Sequence, residues 1–359
     1  MHDDRGSPLA SSGDLYGDGI PMSGPTLVTV GEIRAAADRL RGSVMRTPLI
    51  PAPWADPDRP LFIKPESLQV IGAFKVRGAL NAIGRIDDGL RQRGVVAYSS
   101  GNHAQAVAYA AARFGIDAHI VMPEETPGVK VARTRSHGAR VVLCGAGQRE
   151  VVAAQLVEET GATLVPPFDH PDVIAGQGTI GLEIAEDMPD VRTVLVPVSG
   201  GGLASGIGTA IRALCPDAQI FGVEPELAAD TAAGLRRGSR LSMPIEDRNR
   251  TIADGLRSEP SELTFAHLEQ VLTDVLTVTE DEIRSAVAEL AVHARLVSEP
   301  SGAVALAAYR RHRTPPGKTV MILSGGNIEP ALLAQILADS PTVGVDQGDR
   351  HRAAPTRAV

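Results

Sequence analysis

Lys75 stands in the run Gly72-Ala73-Phe74-Lys75-Val76-Arg77-Gly78-Ala79, with a phenylalanine before it and a valine after it. A lysine attacks a carbonyl only once it has lost its proton, and apolar neighbours favour the neutral amine. Three other segments have the composition of a ligand cradle: Ser99-Ser100-Gly101-Asn102-His103-Ala104-Gln105, Val198-Ser199-Gly200-Gly201-Gly202-Leu203 and Leu323-Ser324-Gly325-Gly326-Asn327. In the second, adjacent glycines let backbone N–H groups converge on an anion, and a following helix adds its N-terminal dipole. A reactive amine together with an anion-binding loop points to pyridoxal phosphate held by the lysine as a Schiff base.

Each cradle has a competing explanation. The glycine loop also suits a dinucleotide, with Glu224 about 20 residues on, where a ribose-binding acid would sit. Counted from Gly200, however, the third glycine of that fingerprint is Ser205, and Lys75 and Ser324 are left without work. The segment from Ser99 to His103 follows a strand and opens a helix, so its free N–H groups suit a carboxylate. There Asn102 can donate to a phenolate oxygen and Ser100 can exchange a proton; an ordinary Ser/Asn helix cap explains the same residues equally well. Ser324 ends the last strand, the edge of an open α/β sheet where ligands bind, and could bond a pyridine nitrogen. A plain tight turn is the alternative. Glu224, Glu226 and Asp230 offer oxygen ligands for Mg²⁺ or Ca²⁺, although a solvated acidic loop is the commoner outcome of such spacing. Arg149 could face a carboxylate, whereas most arginines on a helix face are solvated.

The elements around these residues alternate. Strands are expected at 61–64, 95–98, 118–122, 141–144, 163–165, 193–198, 219–224 and 319–323, with helices at 30–40, 74–90, 102–114, 203–214, 280–296 and 301–311. Lys75 then falls in the first turn of a helix. The alternation predicts mostly parallel sheets with helices on both faces. The segment 94–168 holds a compact series of βα units and reads as a small domain, with 27–93 and 169–339 forming a large one. The ends, 1–26 and 340–359, are rich in small and polar residues and read as disordered tails.

The 359 residues, 43% hydrophobic and 22% charged, have room for a large core. A net charge of −8 without a basic cluster argues against nucleic acid. No apolar run reaches the ~20 residues a membrane helix needs, and the N-terminus does not resemble a secretory signal. Cys144 and Cys215 form no Cys-x-x-Cys pair and read as buried hydrophobes in a reducing cytoplasm.

Taken together, the motifs resemble the threonine dehydratase and serine racemase group of fold type II pyridoxal phosphate enzymes. The likeness runs from about Val30 to Ala338. It is carried by Gly72 to Ala79, Ser99 to Gln105, Ile174-Ala175-Gly176-Gln177-Gly178-Thr179, Thr251-Ile252-Ala253-Asp254-Gly255-Leu256, Glu299-Pro300-Ser301-Gly302-Ala303 and Ser324 to Asn327. It implies a tryptophan synthase β-like architecture of two open parallel-sheet α/β domains with the cofactor in the cleft between them. It implies that Lys75 holds the cofactor, that Phe74 packs near its ring, that Asn102 contacts O3′, and that Ser324 faces the ring nitrogen. Ser199, Gly200, Gly201, Gly202 and Leu203 would bind the phosphate. The family loop often begins with glycine; Ser199 keeps the N–H and could add a hydroxyl bond. Ser100, Gly101, Asn102 and His103 would hold the substrate carboxylate, with Arg149 a further candidate. Glu224, the Ala228 carbonyl and Asp230 would hold a divalent cation.

The activity so implied is α,β-elimination of ammonia from L-threonine, L-serine or a similar hydroxy amino acid. Ser100, on the face opposite Lys75, also opens a serine racemase reading; a 3-hydroxyaspartate dehydratase is a further alternative. The only partner expected besides the amino acid is another copy of the chain, in a homodimer or higher homo-oligomer.

Overall fold

The computed structural model describes residues 24–340. The expectations for 1–26 and 340–359 lie outside the described residues except at 24–26 and 340. Ten strands are present among those residues: β1 (Ile50–Ala52), β2 (Leu61–Pro65), β3 (Val95–Tyr98), β4 (Ala118–Pro123), β5 (Arg140–Cys144), β6 (Thr163–Leu164), β7 (Thr193–Pro197), β8 (Gln219–Pro225), β9 (Asp274–Val278) and β10 (Thr319–Leu323). They form a six-stranded sheet in the order β1-β2-β10-β7-β8-β9 and a four-stranded sheet in the order β5-β4-β3-β6. Every pairing is parallel except β1 with β2. The chain is thus two α/β domains, each built on a parallel sheet.

The central strands read as continuous apolar runs because both of their faces are covered. In β10, Met321 and Leu323 join one core cluster, while Val320 and Ile322 join the cluster on the opposite face. Each such side chain contributes about 2 kcal/mol on leaving water. Thr319 lies opposite Thr193, so the residues after β10 and after β7 emerge at one edge of the sheet. That register places the Ser324 turn beside the glycine loop.

Three helices meet without side chains between their backbones. A Cβ on Gly176 would stand 2.7 Å from Gly78 Cα, and one on Gly206 would stand 2.3 Å from the Ile174 carbonyl. The helices Lys75–Arg85, Pro171–Asp187 and Gly202–Leu214 are therefore locked at backbone distance. Gln177 adds a bond, accepting the Gly78 N–H at 3.2 Å. This is the work of the Ile174–Thr179 motif: it sets Lys75 relative to the glycine loop.

Beneath the Lys75 helix lies a buried ion network. Arg77 donates to Glu66 at 2.8 Å and to Glu183 at 2.6 Å. Lys64 donates to Glu183 and to the Thr47 carbonyl, both at 2.6 Å. Two cations face two carboxylates, so no charge is left uncompensated.

Two helices differ from expectation. The one read over 74–90 ends at Arg85, with Ile86 extended; Asp87 then caps a separate turn, Asp88–Arg91, by accepting the Gly89 N–H. The one read over 280–296 ends at Glu289 and continues as a π-helical turn that closes at Arg295, with φ +58°. The Pro171–Asp187 helix carries no amphipathic period to read. It is buried without interruption from Val173 to Ala185, and a helix covered all round has no polar stripe.

Candidate active site

A cavity of about 200 Å³ opens where the chain leaves β3, β7 and β10. Lys75 enters it from the first position of its helix. That start is fastened to the end of β10, some 250 residues away in sequence: the Phe74 N–H donates to the Ser324 carbonyl at 3.0 Å, and the Gly326 N–H donates to the Gly72 carbonyl at 2.9 Å. Gly72 has φ +73°, and a Cβ there would stand 2.7 Å from Asn327 Oδ1, so the turn before the lysine requires glycine. The Lys75 ammonium donates to the Pro167 carbonyl at 2.6 Å and meets no carboxylate. Burial alone pulls it down to about 8. The Phe74 ring centroid lies 5.1 Å from Nζ.

The glycine loop closes the opposite wall. Gly201 has φ +87°, and a Cβ on Gly200 would stand 2.3 Å from the Phe168 ring. Neither position accepts a side chain as built. The first turn of the Gly202–Leu214 helix presents N–H groups with no intrahelical acceptor. The Ser199 hydroxyl is engaged elsewhere. It donates to the Ser258 carbonyl at 3.1 Å and accepts the Ser258 N–H at 3.0 Å. Its added bond to an anion is thereby replaced by a tie between two loops, while its own N–H is unaffected. Leu203 and Ser324 also line the cavity. The buried Ser324 hydroxyl has only a long contact, 3.5 Å, with the Ser301 carbonyl.

The helix Asn102–Phe114 begins at the third wall. Asn102 Nδ2 donates to Glu299 Oε1 at 2.6 Å, and Asn102 Oδ1 accepts from Asn327 Nδ2 at 2.7 Å. His103 also lines the cavity, its ring Nε2 lying 2.9 Å from the Val165 carbonyl. Burial, reinforced by the Lys75 charge, holds it down to about 3, so it is neutral. Ser100 and Gly101 line the cavity, and the Ser100 hydroxyl has no hydrogen bond among the described residues. Arg149 reaches the same wall, with Nε donating to Glu150 at 2.7 Å and its guanidinium 5.8 Å from the Tyr98 ring centroid.

Glu224, Ala228 and Asp230 are not among the lining residues. Glu224 accepts the N–H groups of Thr231 at 3.0 Å and Ala232 at 2.9 Å. Asp230 Oδ2 is buried with no hydrogen-bond partner. Burial raises both carboxyls, and Asp230 raises Glu224 further. Glu226 instead pairs with Arg311 at 2.8 Å. No group of three or more His, Cys, Asp or Glu side chains placed to hold a metal ion occurs among the described residues.

Glu299, Asn327, Lys130 and Asp254 are among the lining residues that received no role from the sequence. Glu299 and Asn327 sit inside quoted motifs, yet nothing in their spacing shows that they meet Asn102 from 197 and 225 residues away. Lys130 and Asp254 form a 2.7 Å ion pair across the cavity, between the Gly128–Ser136 helix and the 3-10 turn Asp254–Leu256. No helix among the described residues is long and apolar enough to cross a membrane.

A family model described as "Pyridoxal-phosphate dependent enzyme" matches residues 40–325. The L-threonine ammonia-lyase of Thermotoga maritima is 42% identical over 87% of this chain and 78% of that protein. The L-threo-3-hydroxyaspartate ammonia-lyase of Saccharomyces cerevisiae is 39% identical over 88% of this chain and 99% of its own length. Among solved structures, maize serine racemase superimposes with a TM-score of 0.83 at 37% identity, covering 87% of this chain and 98% of that one.

Proposed function

The chain belongs to the pyridoxal-phosphate dependent enzymes, and from that premise we propose that it is an ammonia-lyase for L-threonine, L-serine or a similar β-hydroxy amino acid. The observation that carries this is Lys75. It is a largely enclosed amine with no counter-charge, facing a glycine loop in which neither Gly200 nor Gly201 accepts a side chain.

The residues present fit the coenzyme. Lys75 would hold it through Nζ. The N–H groups from Ser199 to Leu203 would take its phosphate, Asn102 would donate to O3′, Ser324 would face the ring nitrogen, and Phe74 would pack nearby. When bound, pyridoxal phosphate supplies an electron sink for the pair released at Cα. Once the substrate amino group has taken its place on the coenzyme, Lys75 Nζ, inclined toward the neutral form by burial, would take the Cα proton. The N–H groups of Ser100, Gly101, Asn102 and His103 would orient the substrate carboxylate, with Arg149 beyond them. The β-hydroxyl departs as water, and one water returns when the released enamine hydrolyses. The net products are a 2-oxo acid and ammonia.

Racemisation is a second reading, favoured by the uncommitted Ser100 hydroxyl in the same cavity. A proton returned to Cα by Ser100 instead of loss of the β-hydroxyl inverts the centre. Glu224, Asp230 and the Ala228 carbonyl fit a divalent cation, Mg²⁺ or Ca²⁺, since Asp230 Oδ2 has no other partner. A homodimeric or larger assembly belongs to the same reading and rests on the resemblance alone, while a cytoplasmic location rests on the two cysteines that form no pairing motif. The test is a panel of L- and D-hydroxy amino acids, with and without Mg²⁺, read for 2-oxo acid and ammonia. Release from L-threonine or L-serine is the result expected; no release from any member refutes the proposal.

A further inference from the structure

Glu299 has no part in the scheme above, yet its carboxyl is built into the cavity wall. It is the residue before the Pro300–Arg311 helix, and its side chain does not cap that helix. Its oxygen instead accepts from Asn102 Nδ2 at 2.6 Å. On the other side of the same amide, Asn327 Nδ2 donates to Asn102 Oδ1 at 2.7 Å, while also donating to the Ile71 carbonyl at 2.8 Å. An asparagine amide turned end for end would set its oxygen against the carboxylate and its NH₂ against another NH₂. Both bonds would be lost. The amide is thus held in one orientation, with one N–H of Nδ2 spent on Glu299 and the other left over.

We propose that Glu299, together with Asn327, is a positioning residue for the coenzyme: it fixes the Asn102 amide so that the remaining N–H is presented to the phenolate oxygen. This rests on the pyridoxal phosphate reading above. The space for it is made by two motif glycines. A Cβ on Gly325 would stand 2.2 Å from Glu299 Oε1, and one on Gly302 would stand 2.3 Å from the Gly325 carbonyl. The Glu299 N–H donates to that same carbonyl at 3.1 Å. Gly302 and Gly325, one from each motif, thus let the Glu299 carboxyl reach Asn102.

The charges facing Glu299 are Asp254 and, paired with it, Lys130. Burial, then the Asp254 charge, raises Glu299 to about 7. Ionised, it gives Asn102 a charge-assisted acceptor; protonated, a weaker one. The coenzyme's absorption band should therefore respond to pH near 7 through this carboxyl.

The experiment titrates the full apo chain with pyridoxal phosphate and records the bound band from pH 6 to 9. It compares wild type, Glu299→Gln, Glu299→Ala, Asn102→Ala and the Asn102/Glu299 double alanine. Glu299→Ala should weaken coenzyme binding about tenfold, as expected for loss of one bond to a charged acceptor. Glu299→Gln keeps an acceptor and should stay within about threefold of wild type, but its band should lose the response near pH 7. In the Asn102→Ala background the Glu299→Ala loss should shrink to less than about twofold, because the residue acts through that amide. An equal loss in both backgrounds, or wild-type binding by Glu299→Ala, overturns the proposal. If Glu299→Ala does not fold, Glu299→Gln decides: a band that still titrates near pH 7 overturns it. A wild-type chain that takes up no coenzyme refutes the underlying reading instead.

Discussion

Two lysines eleven positions apart, one buried and one half-buried, show what separates a structural charge from a reactive one. Lys64 lies under the Lys75 helix with its ammonium on Glu183 and the Thr47 carbonyl. Burial lowers its pKa, and the attraction of Glu183 works against that. Lys75 has a carbonyl for company and no carboxylate, so nothing opposes burial and it falls to about 8. The same residue type in the same fold keeps a carboxylate partner in one place and lacks one in the other. The difference lies in one counter-ion.

The sharpest way to break this comparison is to remove each amine. Lys75→Ala should lower ammonia release by at least about 10⁴-fold, as for loss of a nucleophile that also acts as base, with little change in melting temperature. Lys64→Met should do the reverse. It leaves Glu183 partly uncompensated and should cost about 3 kcal/mol of stability by denaturant unfolding, while the coenzyme band survives. If Lys64→Met abolishes the band and Lys75→Ala spares it, the assignment is inverted.

Next in size is Ser100. Ser100→Ala should lose racemisation by about 10²-fold or more and keep elimination, since only the former needs a proton on the second face. Chiral analysis of recovered serine alongside ammonia release checks this; equal loss of both contradicts it. The amine at position 75 gives a pH test as well. Capture of pyridoxal phosphate by the apo chain needs the neutral form, so its rate should climb with pH and level off above about 8. A plateau only near the ordinary lysine value would show that burial does not act as described.

The smaller effects concern neighbours. His103 is held near 3 in the fold and returns to about 6.5 when unfolded. Between those values the unfolded chain binds the extra proton, so this group makes stability fall as pH drops through that window. His103→Gln should make the acid side of the stability profile shallower by up to one proton; an unchanged slope would place the proton elsewhere. Smallest of all, Ser199→Gly should alter coenzyme affinity by less than about threefold, because the hydroxyl ties Ser258 and the N–H survives.

Much of this arrangement was legible in the chain. Helix Asn102–Phe114 and its Gly115 stop, the glycine loop after β7 and the Ser324 turn after β10 all carry local signals of type and spacing. The Pro171–Asp187 helix was not legible, because burial on all sides erases periodicity. Glu299 and Asn327 were visible as members of motifs but not as partners of Asn102. Their contact is made by the sheet register and by glycines whose purpose is absence of a side chain. Likewise the Ser199 hydroxyl looks like a ligand donor until the loop bearing Ser258 is folded against it.

The most direct test of the central claim is borohydride reduction of the coenzyme-loaded protein, followed by peptide mapping. The account predicts a visible band that reduction removes and a pyridoxyl group on the peptide bearing Lys75, with none on the peptide bearing Lys64. A protein that stays colourless when supplied with coenzyme and yields no adduct, or one labelled at Lys64, would contradict it.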